Sequence, residues 1–208
     1  MPKTKIIIIG TSHVSPESVA AARDRILKEQ PDCVAVELDP IRYYALLHPQ
    51  PPTLRAGATA WFLQTLQTRI GKATGVMPGT EMLTAIDAGR AVGAQVVLID
   101  MSIEHIVAKM RAVPALHKLG MLTYLIAGAA FGKRAIDLSK VPDERLVREV
   151  LRYMSKHMPD FYRILVSERN AYMANWIREL AKKHKKVIVV VGMGHTAGLS
   201  KLLKVRAK

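Results

Sequence analysis

Two histidines stand in matching settings near opposite ends of the chain, in Gly10-Thr11-Ser12-His13 and in Gly192-Met193-Gly194-His195. Each follows a short apolar run rich in β-branched residues, KIIII at 5–9 and KVIVVV at 186–191. A third run, CVAVEL at 33–38, carries Glu37 near its end, with Asp39 and Arg42 just beyond, and a fourth, QVVLI at 95–99, is followed by Asp100. If these runs are parallel strands of one open sheet, the polar residues gather beyond their carboxyl ends, where such sheets bind ligands. Neutral imidazoles with a carboxylate suit zinc, manganese or iron and leave coordination positions for water. A metal held there could acidify water and polarise a carbonyl. Either G-x-x-H alone reads equally well as a sharp turn with a helix cap. Its occurrence after both the first and the last strand is what points to a shared role.

Other residues are odd in their surroundings. Glu37 interrupts a run too apolar to leave a carboxylate unpaired, and Arg42 is the natural neighbour to neutralise it or Asp39. In DFYRILVSERNAYMANWIRELAK, 160–182, a helical reading runs the apolar stripe through Phe161, Ile164, Leu165, Tyr172 and Trp176. That stripe includes the position of Glu168. A glutamate there either has a buried partner or is placed for a site, with Arg169 and Asn170 beside it. Glu81, after Pro78-Gly79-Thr80, falls in a first helical turn, where the helix dipole alone accounts for a carboxylate. His48, His105, His117, His157 and His184 show no paired spacing. No G-x-S-x-G surrounds Ser12, and neither G-x-G-x-x-G nor a P-loop follows the first strand, so a serine hydrolase and a nucleotide-binding fold both fit poorly.

The elements that must position these residues read as an α/β fold, a central, mostly parallel sheet flanked by helices. The four runs lack the alternation of half-exposed strands and are expected to be covered on both faces. Helices are expected after Ser15-Pro16-Glu17, from Pro40, over about 56–71, from Thr80 to Val92 and from Ser102 into the 110s. The region 102–185 is almost wholly helical in pattern, an insertion expected to cover the strand-end cleft, and residues 1–208 are expected to form a single domain. Half the residues are hydrophobic and 23% charged, a globular composition. The one cysteine, Cys33, excludes an internal disulfide and reads as a small buried hydrophobe. The isoleucine run is too short for a signal-peptide core, which predicts a cytoplasmic location. The apolar stretch LGMLTYLIAGAAFG at 119–132 is too short to span a bilayer. It reads as a core helix and makes a homodimer plausible. A net charge of +14 favours anionic partners, yet aromatic residues do not interleave with the basic runs. Membrane or nucleic-acid contact is therefore a minority expectation.

The chain resembles the TraB/PrgY family. The resemblance is carried by GTSHVSPESV with PDCVAVELDPIRYYAL, by GTEMLTAIDAGRAVGAQVVLIDMSIEHIVAKM, and by ERNAYMANWIRELAKKHKKVIVVVGMGHTAGL. Met101 stands where many members carry arginine. The family is similar to the Tiki metalloproteases and to erythromycin-esterase-like and ChaN-like proteins. That similarity implies a divalent-metal site, manganese or cobalt with zinc as a further option, formed by His13, Glu37 and His195. Arg42, Glu81, Glu168 and Arg169 match further motif positions. On this reading Glu168 or Glu81 is the candidate general base, and Arg42 or Arg169 the candidate oxyanion stabiliser. The implied activity is metal-dependent hydrolysis of peptides or amides. The alternative is a protein that binds or sequesters peptide in the same cleft without turnover.

Overall fold

The computed structural model describes residues 4–11, 16–48, 79–118 and 144–205. Among these, four strands form one parallel sheet: β1 (Lys5–Thr11), β2 (Cys33–Val36), β3 (Gln95–Leu98) and β4 (Lys186–Gly192). The spatial order is β1-β4-β2-β3, so the last strand inserts between the first two. Six of the seven residues of β4 are buried. The fold is α/β, as the strand pattern implies.

The helices include α1 (Pro16–Glu29), α2 (Pro40–Leu47), α3 (Thr80–Ala91), α4 (Ile103–Ala112), α5 (Glu144–His157), α6 (Pro159–Tyr162), α7 (Glu168–Lys183) and α8 (Met193–Leu203). A π-helical turn, Arg163–Ser167, joins α6 to α7. Asp39 caps α2 by accepting from the amides of Ile41 at 2.9 Å and Arg42 at 3.2 Å, and Pro40 occupies the first turn, where a missing N–H costs nothing. The expected helix at 56–71 and the apolar stretch at 119–132 lie outside the described residues. No helix among the described residues is long and apolar enough to cross a membrane.

Side chains alternate between two buried faces of the sheet. Ile7, Val34, Val36, Ile188 and Val190 pack with Ile26 of α1 and with Met82, Ala85 and Ile86 of α3. On the other face, Ile8, Cys33, Ala35, Val187, Val189 and Val191 pack with Met173, Ala174 and Ile177 of α7 and Leu199 of α8. Three layers with both faces covered explain why these strands are apolar without alternation. Cys33 is wholly enclosed, and burial, with a smaller effect from Asp32, pushes its thiol up to about 11. It is an inert core residue.

The apolar stripe expected through Phe161, Ile164, Leu165, Tyr172 and Trp176 does not continue through the helix. Phe161 and Ile164 are buried, but Tyr172 and Trp176 are exposed, and the inward face of α7 is Asn170, Met173, Ala174, Ile177 and Leu180. The π turn is the cause. It adds a residue to one turn and so rotates everything after it by about 100° relative to an uninterrupted α-helix. Glu168 thereby leaves the inward face, and Arg169 and Asn170 take the side turned to the sheet.

Candidate functional site

Because β4 lies between β1 and β2, its carboxyl end emerges beside the ends of both. Thr11 is in register with Gly192, and Val36 with Val190. Glu37, the next residue after Val36, donates its amide to Val190 O at 3.0 Å, and its Oε2 accepts the Gly192 amide at 2.7 Å. Gly192 opens directly into α8, which places His195 in the first turn, where its Nε2 lies 3.3 Å from Glu37 Oε1. Close approach of α8 to β1 requires Gly10. A Cβ there would come within 2.5 Å of the Thr196 methyl.

Two arginines complete the cluster. Arg169 donates from Nη2 to Glu37 Oε1, from Nη2 to Asp100 Oδ2 at 2.6 Å, from Nε to Asp100 Oδ1 at 3.0 Å and from Nη1 to Leu165 O at 3.1 Å. Arg42 donates from Nε to Asp39 and from Nη2 to Asp100, and its Nη1 has no hydrogen-bond partner among the described residues. The result is one continuous chain: Asp39, Arg42, Asp100, Arg169, Glu37, His195. The side chains of Asp39 and Asp100 are completely covered, that of Arg169 is 12% exposed, and that of Arg42 is 31% exposed.

Burial alone would push the Glu37 carboxyl up. The adjacent His195 imidazole, the Arg169 guanidinium and the Gly192 amide outweigh that and hold it well below the usual carboxylate range. Burial likewise opposes the charge on Arg169, but Asp100 and Glu37 raise its pKa further, and it stays cationic. Within the chain, three carboxylates face two guanidinium groups. One negative charge remains over, and Glu37 meets the histidine at the end of the chain.

Of the residues expected at the site, Glu37, His195 and Arg169 meet directly, and Arg42 joins them through Asp100. Arg42 does not pair with Glu37. His13 lies outside the described residues. Glu168 is turned to the flank, its carboxylate held by Lys109 Nζ and Arg163 Nη1, each at 2.6 Å. Those cations hold its pKa low against a weaker effect of burial. A pocket of about 210 Å³ opens there, lined by Lys109, Val113, Asp160, Arg163 and Ile164 among others. Glu81 is fully buried and accepts the Gly79 amide at 3.1 Å, fixing a turn in which Gly79 has φ of 98°. Asp100 was visible as a strand-end residue, but its function as the joint between two arginines was not. Asn170, named beside Glu168 in the sequence, contacts a different residue than that setting implies: its Oδ1 lies 2.7 Å from His195 Nδ1.

Among the described residues, no group of three or more His, Cys, Asp or Glu side chains is arranged to hold a metal. They do supply two neighbouring donors, His195 Nε2 and Glu37 Oε1, at a separation that suits adjacent ligands of one small cation.

The chain matches the TraB/PrgY/gumN family over residues 2–208. It belongs to that family. It is 27% identical over 211 residues to an uncharacterized protein of Methanocaldococcus jannaschii, covering 96% of the present chain and 53% of that protein. TraB domain-containing proteins of Bos taurus and Homo sapiens are 27% and 25% identical over 237 residues, covering 95% of the chain and 62% of each relative. The TraB-family chain described here thus spans between about half and three-fifths of the length of these relatives.

Proposed function

We propose that this TraB-family chain is a divalent-metal-dependent hydrolase of peptide or amide bonds, with His195 and Glu37, joined by His13, as ligands of the metal. The observation that carries the reading is the approach of a buried imidazole and a buried carboxylate at the strand ends. His195 Nε2 faces Glu37 Oε1 at the end of a buried ion-pair chain with one carboxylate more than its guanidinium groups. Buried charge of that kind is costly unless compensated, and a cation held at the imidazole–carboxylate junction is one way to compensate it. Resemblance to the Tiki metalloproteases supports the same three residues. A divalent cation bound there supplies Lewis acidity, acidifying water and polarising a carbonyl.

The protein's own groups divide the remaining work. Arg169 has its Nε, Nη1 and Nη2 all engaged and fixes Glu37 in place. Arg42 Nη1 is unengaged among the described residues and the side chain is partly open to solvent, so it is the arginine able to meet a substrate carbonyl as negative charge develops on its oxygen. For Glu168 to act as a general base it must first leave Lys109 and Arg163.

The test is metal content after loading with manganese, cobalt or zinc, followed by a peptide-cleavage screen with and without chelator. Near-stoichiometric metal and chelator-sensitive cleavage are expected, with both lost in His195→Ala. Retention of either by that variant sinks the proposal. A second reading, a cleft that binds peptide without turnover, draws on the fact that both Glu37 oxygens already have protein partners. Peptide binding indifferent to chelator, with no cleavage, would select it.

A further inference from the structure

His195 is 7% exposed, and each of its ring nitrogens has a protein neighbour, Asn170 Oδ1 at 2.7 Å from Nδ1 and Glu37 Oε1 at 3.3 Å from Nε2. Asn170 is 5% exposed and projects from the first turn of α7 toward α8. Its amide nitrogen is seated against Gly198, one turn beyond His195 on the same face of α8. A Cβ at Gly198 would stand 2.2 Å from Asn170 Nδ2 and 3.1 Å from its Cγ. The carboxamide thus has its NH2 end in the notch left by glycine and its oxygen end on the imidazole.

A carbonyl oxygen only accepts hydrogen bonds, so a neutral imidazole facing it carries its proton on Nδ1. Glu37 Oε1 competes for the proton from the other side of the ring, but at 3.3 Å against 2.7 Å for Asn170, so the proton stays on Nδ1 and the lone pair is left on Nε2. We propose that Asn170, seated in the Gly198 notch, is a positioning residue that fixes His195 as the Nδ1–H tautomer and makes Nε2 its donor atom. The consequence for metal affinity rests on the hydrolase reading above; the tautomer does not. Partners of this type orient histidine ligands, and losing one commonly costs 10- to 100-fold in metal affinity. The device spans two helices: α7 supplies the acceptor, and α8 supplies the ring and the space that aims the acceptor.

The experiment uses the full chain with 15N-labelled histidine. Long-range proton–nitrogen correlation spectra are recorded metal-free at about pH 9, where an ordinary imidazole is neutral. Zinc affinity is then measured by competition with a chromophoric chelator. The wild type is expected to show the His195 proton on Nδ1. Asn170→Asp, which keeps an acceptor oxygen in place, is expected to retain that tautomer and to bind zinc at least as tightly as wild type. Asn170→Ala and Gly198→Val are expected to lose the tautomer preference and to bind zinc about 10- to 100-fold more weakly, with amide spectra that report an intact fold. A wild-type proton on Nε2 overturns the proposal without reference to any variant. Unchanged tautomer and zinc affinity in Asn170→Ala overturns it as well. If wild type binds no zinc yet the tautomer follows Asn170 as stated, the positioning role stands and the metal-dependent reading falls.

Discussion

Arg169 joins two buried carboxylates and a backbone carbonyl with one planar group, a task no ammonium can duplicate. Removing it takes the one guanidinium shared by Glu37 and Asp100 out of a dry environment and leaves both carboxylates under-compensated. Arg169→Ala is therefore expected to cost about 3–5 kcal/mol in urea denaturation, the usual penalty for breaking a buried pair from one side. Arg42→Ala is expected to cost clearly less, because water can reach what it leaves behind. Equal losses would mean that the two guanidinium groups are equally embedded. At the opposite end of the sheet, Asp32 accepts the amides of Lys185 at 2.8 Å and Lys186 at 2.7 Å, tying the start of β4 to the start of β2. Burial pushes its carboxyl up, but those two amides outweigh it and hold it below the ordinary range. A folded pKa below the unfolded one stabilises the protein above the unfolded value, near about 3.9, and that contribution disappears as pH falls through the folded value. Asp32→Ala is thus expected to lose stability at neutral pH and to show a shallower loss between about pH 4 and pH 2 than wild type. Parallel acid limbs in the two proteins would contradict the assignment.

At the scale of elements, the junction of α6 and α7 separates what was legible from what was not. The four strands are readable from β-branched runs with no alternation; β2 and β4 are covered on both faces as that pattern implies, whereas β3, at the sheet edge, is only partly covered. The strand-end location of Glu37, Asp100 and His195 followed from it. Their spatial order did not follow, since nothing local in KVIVVV states that it inserts between the first two strands. The π turn was also invisible: RILVS is an ordinary helical string, and its extra residue shows only in the phase of what comes after. That is why an uninterrupted-helix reading puts Glu168 on the inward face, whereas Asn170, two positions on, takes that place. The phase shift has a direct test. Met173 is fully buried and Tyr172 is 38% exposed. Met173→Ala is expected to cost about 2–5 kcal/mol in urea denaturation, as core methionines do. Tyr172→Ala is expected to cost clearly less, since over a third of that side chain is already in water. An uninterrupted helix through Ile164 and Tyr172 demands the reverse order, and observing it would remove the π turn from the account.

Over the whole molecule, the net charge of +14 works against compactness, because like charges over one small surface repel. Exposed pairs such as Arg145–Glu149 and Lys182–Glu179 offset little of this, since pairs so open to water contribute little each. The strand-end chain from Asp39 to His195 is different, being buried and therefore weakly screened. Added sodium chloride should thus act on the three in unequal measure. It shortens the Debye length from about 10 Å at 0.1 M to about 3 Å at 1 M, weakening the general repulsion most, the surface pairs slightly and the buried chain least. The balance favours the folded state, so Tm is expected to rise between about 0.1 M and 1 M salt. The gain should be the same in Arg145→Ala as in wild type, because that pair carries almost none of the effect. In Arg169→Ala the gain should persist on a lower baseline, since the missing buried charge is not what salt screens. A fall in Tm with salt would mean that attractive pairs outweigh the net positive field. The fold would then be held at its surface by more ion pairing than the exposed contacts described here provide.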